Sequence, residues 1–141
     1  MTTTPDTITY TAHAEATGGR KGHVSSDDGL IDTDVRPPKE MGGPGGATNP
    51  EQLFAAGYAA CFQGALGVVG RNEGVDTSES QIAVQVGIGP AGGGFGLAVR
   101  IEGSIPGHDQ QQTQALLDAA HQVCPYSNAT RGNIPVEVVA V

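Results

Sequence analysis

Two cysteines are the only thiols in this 141-residue chain. Cys61 stands in AAGYAACFQGAL, residues 55–66, one of its most apolar runs, and Cys124 stands in VCPYSNATRGNI. A lone thiol in such a setting can be a small core residue, half of a structural disulfide, a metal ligand or a nucleophile. Zinc fits poorly: there is no CxxC, and His13, His23, His108 and His121 are scattered without ligand spacing. No metal is expected. A static disulfide is disfavoured in a reducing compartment, where paired thiols more often do transient redox work. A nucleophile with a resolving partner uses both residues. It needs a cation to lower the pKa of Cys61, because an apolar site alone raises it. Taken singly, Cys61 stays divided between core filler and nucleophile.

Five arginines can supply that cation: Arg20, Arg36, Arg71, Arg100 and Arg131. For any one of them a solvated surface charge is the ordinary reading, and Arg131 in NATRGN reads as a structural pair. Arg20 stands out because it follows Gly18-Gly19 between two strand-like stretches, where the backbone can bend to aim a side chain inward. Glu51 can anchor it through a bidentate arginine–carboxylate pair, although an acid in a helix's first turn is also commonplace.

The elements that must position these groups follow from pattern. Residues 6–17 alternate as a strand and stop at Gly18-Gly19. Residues 21–35 read as a hairpin turning at Asp28-Gly29. Residues 36–47, RPPKEMGGPGGA, read as a loop. A helix then starts with Asn49 as N-cap and Pro50 at its first position, and runs to about Arg71. It is apolar nearly all round, which predicts a central helix buried on most faces. Strands are expected at 80–89 and 94–105, joined by PAGGG. A helix is expected at 107–123 with Leu116, Leu117, Ala120 and Val123 on one face, ended by Cys124-Pro125. A last strand is expected at 134–140. This order predicts one α+β domain over 1–141 with mostly antiparallel sheet.

Composition narrows the function classes. Fifteen acids against seven bases give a net charge of −8, which argues against a nucleic-acid partner because a phosphate backbone needs a basic patch. By this reading no apolar run reaches the roughly 18 residues a membrane helix needs. MTTTPDTITY lacks a basic region followed by an apolar core, so it does not read as a signal peptide, and a cytoplasmic address is the default.

The stretches TGGR (17–20), TNPEQLFAAGYAACF (48–62) and VCPYSNATRGN (123–133) closely resemble the organic hydroperoxide resistance (Ohr) branch of the OsmC/Ohr family. The resemblance extends over essentially the whole chain. It implies the OsmC-like fold, an intertwined homodimer with two sites at the subunit interface, and no bound cofactor. It also implies a peroxidatic Cys61, a resolving Cys124 and an Arg20–Glu51 pair. The implied activity is reduction of alkyl or fatty-acid hydroperoxides, with dihydrolipoamide or a lipoylated protein as external reductant. Leu53, Phe54, Phe62 and Tyr126 are the candidates to line an apolar substrate pocket. Glu51 and Cys61 lie ten positions apart, about 15 Å along a straight helix. Either Arg20 bridges much of that interval, or Glu51 serves the Cys61 of the other subunit; the second is the favoured expectation. The competing readings are an OsmC-type peroxidase of broader specificity and a redox-sensing disulfide switch.

Overall fold

The computed structural model describes residues 2–141. The chain forms two compact units, Met1–Leu53 and Phe54–Val141.

In the first unit β1 (Ala14–Thr17), β2 (His23–Ser26) and β3 (Asp32–Asp34) make an antiparallel sheet in that order. The expected 6–17 strand is cut to Ala14–Thr17, and Ile8 and Tyr10 are 65% and 80% exposed. The reason is the length of the partner. β2 pairs with Ala14–Thr17 and ends at Ser26, opposite Ala14, so residues 6–13 have no strand there to bond. The Asp28-Gly29 hairpin forms as expected. Gly29 has φ 75°, and the Asp28 carboxylate accepts from the Leu30 N–H at 3.0 Å. Helix α1 spans Pro50–Glu73, and the Asn49 side-chain oxygen caps it by accepting from the Gln52 N–H at 2.8 Å.

The second unit holds β4 (Gln81–Ala91), β5 (Gly94–Ser104), α2 (Gln110–Val123), α3 (Pro125–Thr130) and β6 (Val136–Ala140). β4 and β5 form a long antiparallel hairpin. β6 lies parallel to β5, because the intervening helices carry the chain back to the same end of the sheet. The fold is thus α+β with one parallel pairing in an otherwise antiparallel set.

One core cluster joins Tyr58, Phe62 and Leu66 of α1, Val99 and Ile101 of β5, and Leu116, Leu117 and Ala120 of α2. Expectations about the helices are corrected here. First, α1 is buried along one stripe, Tyr58, Phe62, Ala65, Leu66, Val69 and Gly70, and not on most faces. Ala60, Gly64 and Val68 are exposed because the core lies to one side only. By length and composition α1 is also apolar enough to cross a membrane, contrary to the expectation that no run would be; a soluble core helix passes the same test. Second, Val123 is 50% exposed, and Cys124, four positions beyond Ala120, continues the buried stripe instead. Third, Pro125 does not merely end a helix: it occupies the first turn of α3.

Candidate active site

The sequence-predicted groups come together as two pairs, each within its own unit. Arg20 sits in a single 3-10 turn, Gly19–Lys21. Gly18 and Gly19 take φ 74° and 58°, left-handed values that cost a side chain dearly and glycine little. The Arg36 guanidinium locks this turn from below, donating from Nη1 to the carbonyls of Lys21 at 3.0 Å and Gly22 at 2.9 Å. Arg20 then donates to Glu51 from its two terminal guanidinium nitrogens, Nη1 to Oε2 at 2.9 Å and Nη2 to Oε1 at 2.7 Å. The Arg20 side chain is 42% exposed and that of Glu51 12%. The hydrogen bond from Arg20 holds the Glu51 carboxyl below the usual carboxylate range, against a smaller opposing effect of burial.

Cys61 on α1 and Cys124 at the α2–α3 junction are free thiols with their sulfurs 3.6 Å apart. Cys124 is fully buried and Cys61 half-buried. Burial pushes the Cys61 thiol up; the Tyr126 backbone N–H, which donates to it, pulls the other way, and the neighbouring Cys124 adds to the rise. The thiol pair is thus geometrically ready for a disulfide, and Cys61 is held by its own surroundings toward the neutral form.

The four proposed pocket residues divide. Phe54 and Tyr126 are edge to face with ring centroids 6.1 Å apart, and Tyr58 lies 5.5 Å from Tyr126 and 6.2 Å from Phe54. Tyr126 approaches this closely because residue 57 is glycine; a Cβ there would meet the Tyr126 hydroxyl at 2.8 Å. Leu53 is half-buried in the first unit. Phe62 has no exposed surface and packs in the core of the second unit.

Sequence reasoning missed a buried polar chain behind the thiols. The Tyr58 hydroxyl bonds Ser127 Oγ at 2.8 Å and Thr130 Oγ1 at 3.0 Å, and His121 Nδ1 bonds Ser127 Oγ at 2.7 Å. Arg131 donates to the His121 carbonyl at 2.5 Å and to Asn128 Oδ1 at 3.0 Å, the structural role expected of it. Burial first, then the Arg131 charge, depresses the His121 pKa. The available signal was spacing. Tyr58 precedes Cys61 by three residues and Ser127 follows Cys124 by three, one helical turn in each case.

Comparison with known proteins agrees with this architecture. The OsmC-like protein family model matches residues 43–139. The organic hydroperoxide resistance protein of Xanthomonas axonopodis pv. citri is 54% identical over 134 residues, covering 94% of each chain. Among solved structures, the organic hydroperoxide resistance protein of Elizabethkingia anophelis superposes with a TM-score of 0.89 at 50% identity, covering 96% of this chain and 98% of that one. The organic hydroperoxide resistance protein OhrB of Bacillus subtilis gives 0.85 at 43% identity, covering 95% and 100%. With two free thiols in contact on this fold and relatives of that name along nearly its whole length, the chain belongs to the OsmC family, in its organic hydroperoxide resistance branch.

Proposed function

We propose that the chain is a thiol peroxidase that reduces organic hydroperoxides to alcohols and so protects the cell against organic peroxide stress. The observation that carries this reading is the 3.6 Å approach of two free sulfurs, one half-buried and one sealed, beside aromatic side chains. The names of the relatives supply the substrate class.

In this mechanism the Cys61 thiolate attacks the distal oxygen of ROOH. The O–O bond breaks, the alkoxide takes a proton and leaves as ROH, and Cys61 becomes a sulfenic acid. Cys124 sulfur then attacks the sulfenic sulfur, the S–O bond breaks and water leaves with the thiol proton. An external dithiol, dihydrolipoamide or a lipoylated protein, reduces the Cys61–Cys124 disulfide by exchange and is itself oxidised. No bound cofactor or metal takes part.

Burial raises the Cys61 thiol, so the mechanism requires a cation. Arg20 fills that role in our reading: it holds the thiolate and polarises the peroxide, while Glu51 fixes the guanidinium plane. The ten-residue interval along α1 favours a site completed by Glu51 of one subunit and Cys61 of the other in an intertwined homodimer. Leu53, Phe54 and Tyr126 would take the alkyl chain, with Phe62 supporting them from the core. Burying that chain contributes about 0.8 kcal/mol per CH₂, which hydrogen peroxide cannot match. The proposed address is the cytoplasm, where reduced dithiols are supplied.

The test is consumption of tert-butyl hydroperoxide driven by dihydrolipoamide. Wild type should turn over many times and Cys61→Ser not at all. Cys124→Ala should keep the first oxidation and lose dithiol-dependent cycling. No consumption by wild type overturns the reading. A single stoichiometric oxidation without cycling would favour a redox switch.

A further inference from the structure

The two thiols ride on different elements, yet neither is fixed to the other by a covalent bond. What ties those elements together at this level is a set of hydrogen bonds within one helical turn of each sulfur. Tyr58 reaches from α1 to Ser127 and Thr130 of α3 across 69 and 72 residues of sequence. Tyr58 and Ser127 have no exposed surface and Thr130 is 4% exposed, so water cannot replace a lost partner.

Proton bookkeeping gives the chain one direction. The Thr130 hydroxyl donates to the Ser127 carbonyl at 3.3 Å, so its oxygen accepts from the Tyr58 hydroxyl. Tyr58 oxygen then accepts from the Ser127 hydroxyl, and Ser127 oxygen accepts from His121 Nδ1–H. The run is His121, Ser127, Tyr58, Thr130, Ser127 carbonyl, with every hydroxyl proton used once. It places the histidine proton on Nδ1. The opposite direction forfeits the bond to the Ser127 carbonyl.

Apolar packing alone tolerates sliding of one helix along another, whereas directional bonds between buried hydroxyls fix a register. Disulfide closure is sensitive to register. The sulfurs stand at 3.6 Å and a disulfide needs about 2.05 Å, so both must swing inward from set positions. We propose that Tyr58 and Ser127, with His121 behind them, are positioning residues that hold Cys124 within reach of Cys61 and set how readily the pair closes. In the peroxide cycle this rests on the function proposed above. Closure by disulfide exchange does not.

The test separates the two. Full-length protein is equilibrated with oxidised and reduced dithiothreitol, and the Cys61–Cys124 disulfide is quantified by alkylation and mass spectrometry. In that exchange the pair loses two electrons and two protons and the dithiothreitol disulfide gains them. Tyr58→Phe removes one oxygen and keeps the ring; Ser127→Ala is the second variant. Both should form the disulfide roughly ten- to a hundredfold less readily than wild type, the scale expected for a small misplacement of reacting groups. Ile101→Val, a core change on β5 outside the chain of hydroxyls, should lower the melting temperature without moving the exchange equilibrium. In a second arm, tert-butyl hydroperoxide is titrated without reductant. Tyr58→Phe should then accumulate Cys61 sulfinate at the expense of disulfide, because a second peroxide reaches the sulfenic acid before Cys124 does. Wild-type closure in both variants, or an equal shift in Ile101→Val, overturns the positioning role. A wild type that consumes no peroxide but closes normally with dithiothreitol overturns the proposed function and leaves the exchange arm to decide this one.

Discussion

Arg20–Glu51 and Cys61–Cys124 are both short-range pairs of reactive side chains, but their surroundings differ in kind. The first keeps water: nearly half of the Arg20 side chain is exposed, and its geometry is set by a bidentate contact and by a glycine turn clamped from Arg36. In the second, Cys61 is half-buried and Cys124 is sealed, and the hydroxyl groups behind it are bonded to one another, to His121 and to the Ser127 carbonyl. The consequences for protonation are opposite. Pairing pushes Glu51 toward its charged form, while burial pushes Cys61 away from its charged form. In the proposed mechanism the pre-formed charged pair would supply what a thiol not ionised by its own neighbours lacks. The comparison predicts that disabling the charged half should cost chemistry far more than it costs stability.

Arg20→Ala gives the largest expected loss. Removing the preorganised cation should lower kcat/KM for tert-butyl hydroperoxide by roughly 10²- to 10³-fold, the usual range for losing one such charge-stabilising donor. Arg20→Lys should recover only part of it, because an ammonium cannot make the two parallel bonds that Glu51 now receives. Steady-state kinetics with dihydrolipoamide measures both. Equal activity in Arg20→Ala and wild type would break the comparison.

The next effect is on pH. Thiolate fraction rises with pH, so alkylation of Cys61 by iodoacetamide should accelerate through the thiol's titration. In Arg20→Ala only burial, the Tyr126 N–H and Cys124 act on Cys61, and the midpoint should fall above the ordinary thiol range. If Arg20 stabilises the thiolate, wild type should have a lower midpoint, each unit of difference giving about tenfold more thiolate at neutral pH. Coincident profiles would detach Arg20 from Cys61.

Smaller again is the dependence on substrate length. Across a series of linear alkyl hydroperoxides kcat/KM should rise by up to about fourfold per added CH₂, the equivalent of roughly 0.8 kcal/mol, until the apolar surface is filled. Phe54→Ala should flatten the series more than it lowers the rate for the shortest member. A flat wild-type series would remove the specificity argument.

The turns, the helix cap and the order of elements were legible in the sequence for local reasons, whereas the pairings of Arg20 with Glu51 and of Cys61 with Cys124, 31 and 63 residues apart, came from the resemblance of whole stretches. Gly18-Gly19, Asn49-Pro50 and Asp28-Gly29 act within a few residues of themselves, and each forms the turn or cap expected of it. What was misread depends on partners distant in sequence. The 6–13 stretch alternates like a strand, but no strand lies opposite it. The all-round apolarity of α1 does not say which side carries the core. Pro125 looks like a stop from the α2 side and is a start from the α3 side. Tyr58, Ser127, Thr130 and His121 looked like ordinary residues because a hydroxyl chain becomes visible only when α1 and α3 are set side by side.

The smallest expected effect is the contribution of the charged pair to folding, and its sign is fixed by linkage. The folded Glu51 carboxyl is held below its unfolded value, chiefly by the hydrogen bond from Arg20. Its stabilisation is therefore fully present above the unfolded carboxylate pKa and is lost as pH falls through the lower folded one. Because Arg20 is 42% exposed, solvent screening keeps that contribution under about 1 kcal/mol. Glu51→Gln should thus lose less than that in urea denaturation at neutral pH and match wild type in strong acid. Its kcat/KM should nevertheless fall well beyond what so small a stability change explains, since an unanchored guanidinium samples many orientations. A Glu51→Gln variant that is equally destabilised in acid and at neutral pH, or that loses activity only in proportion to stability, would make the pair an ordinary surface salt bridge.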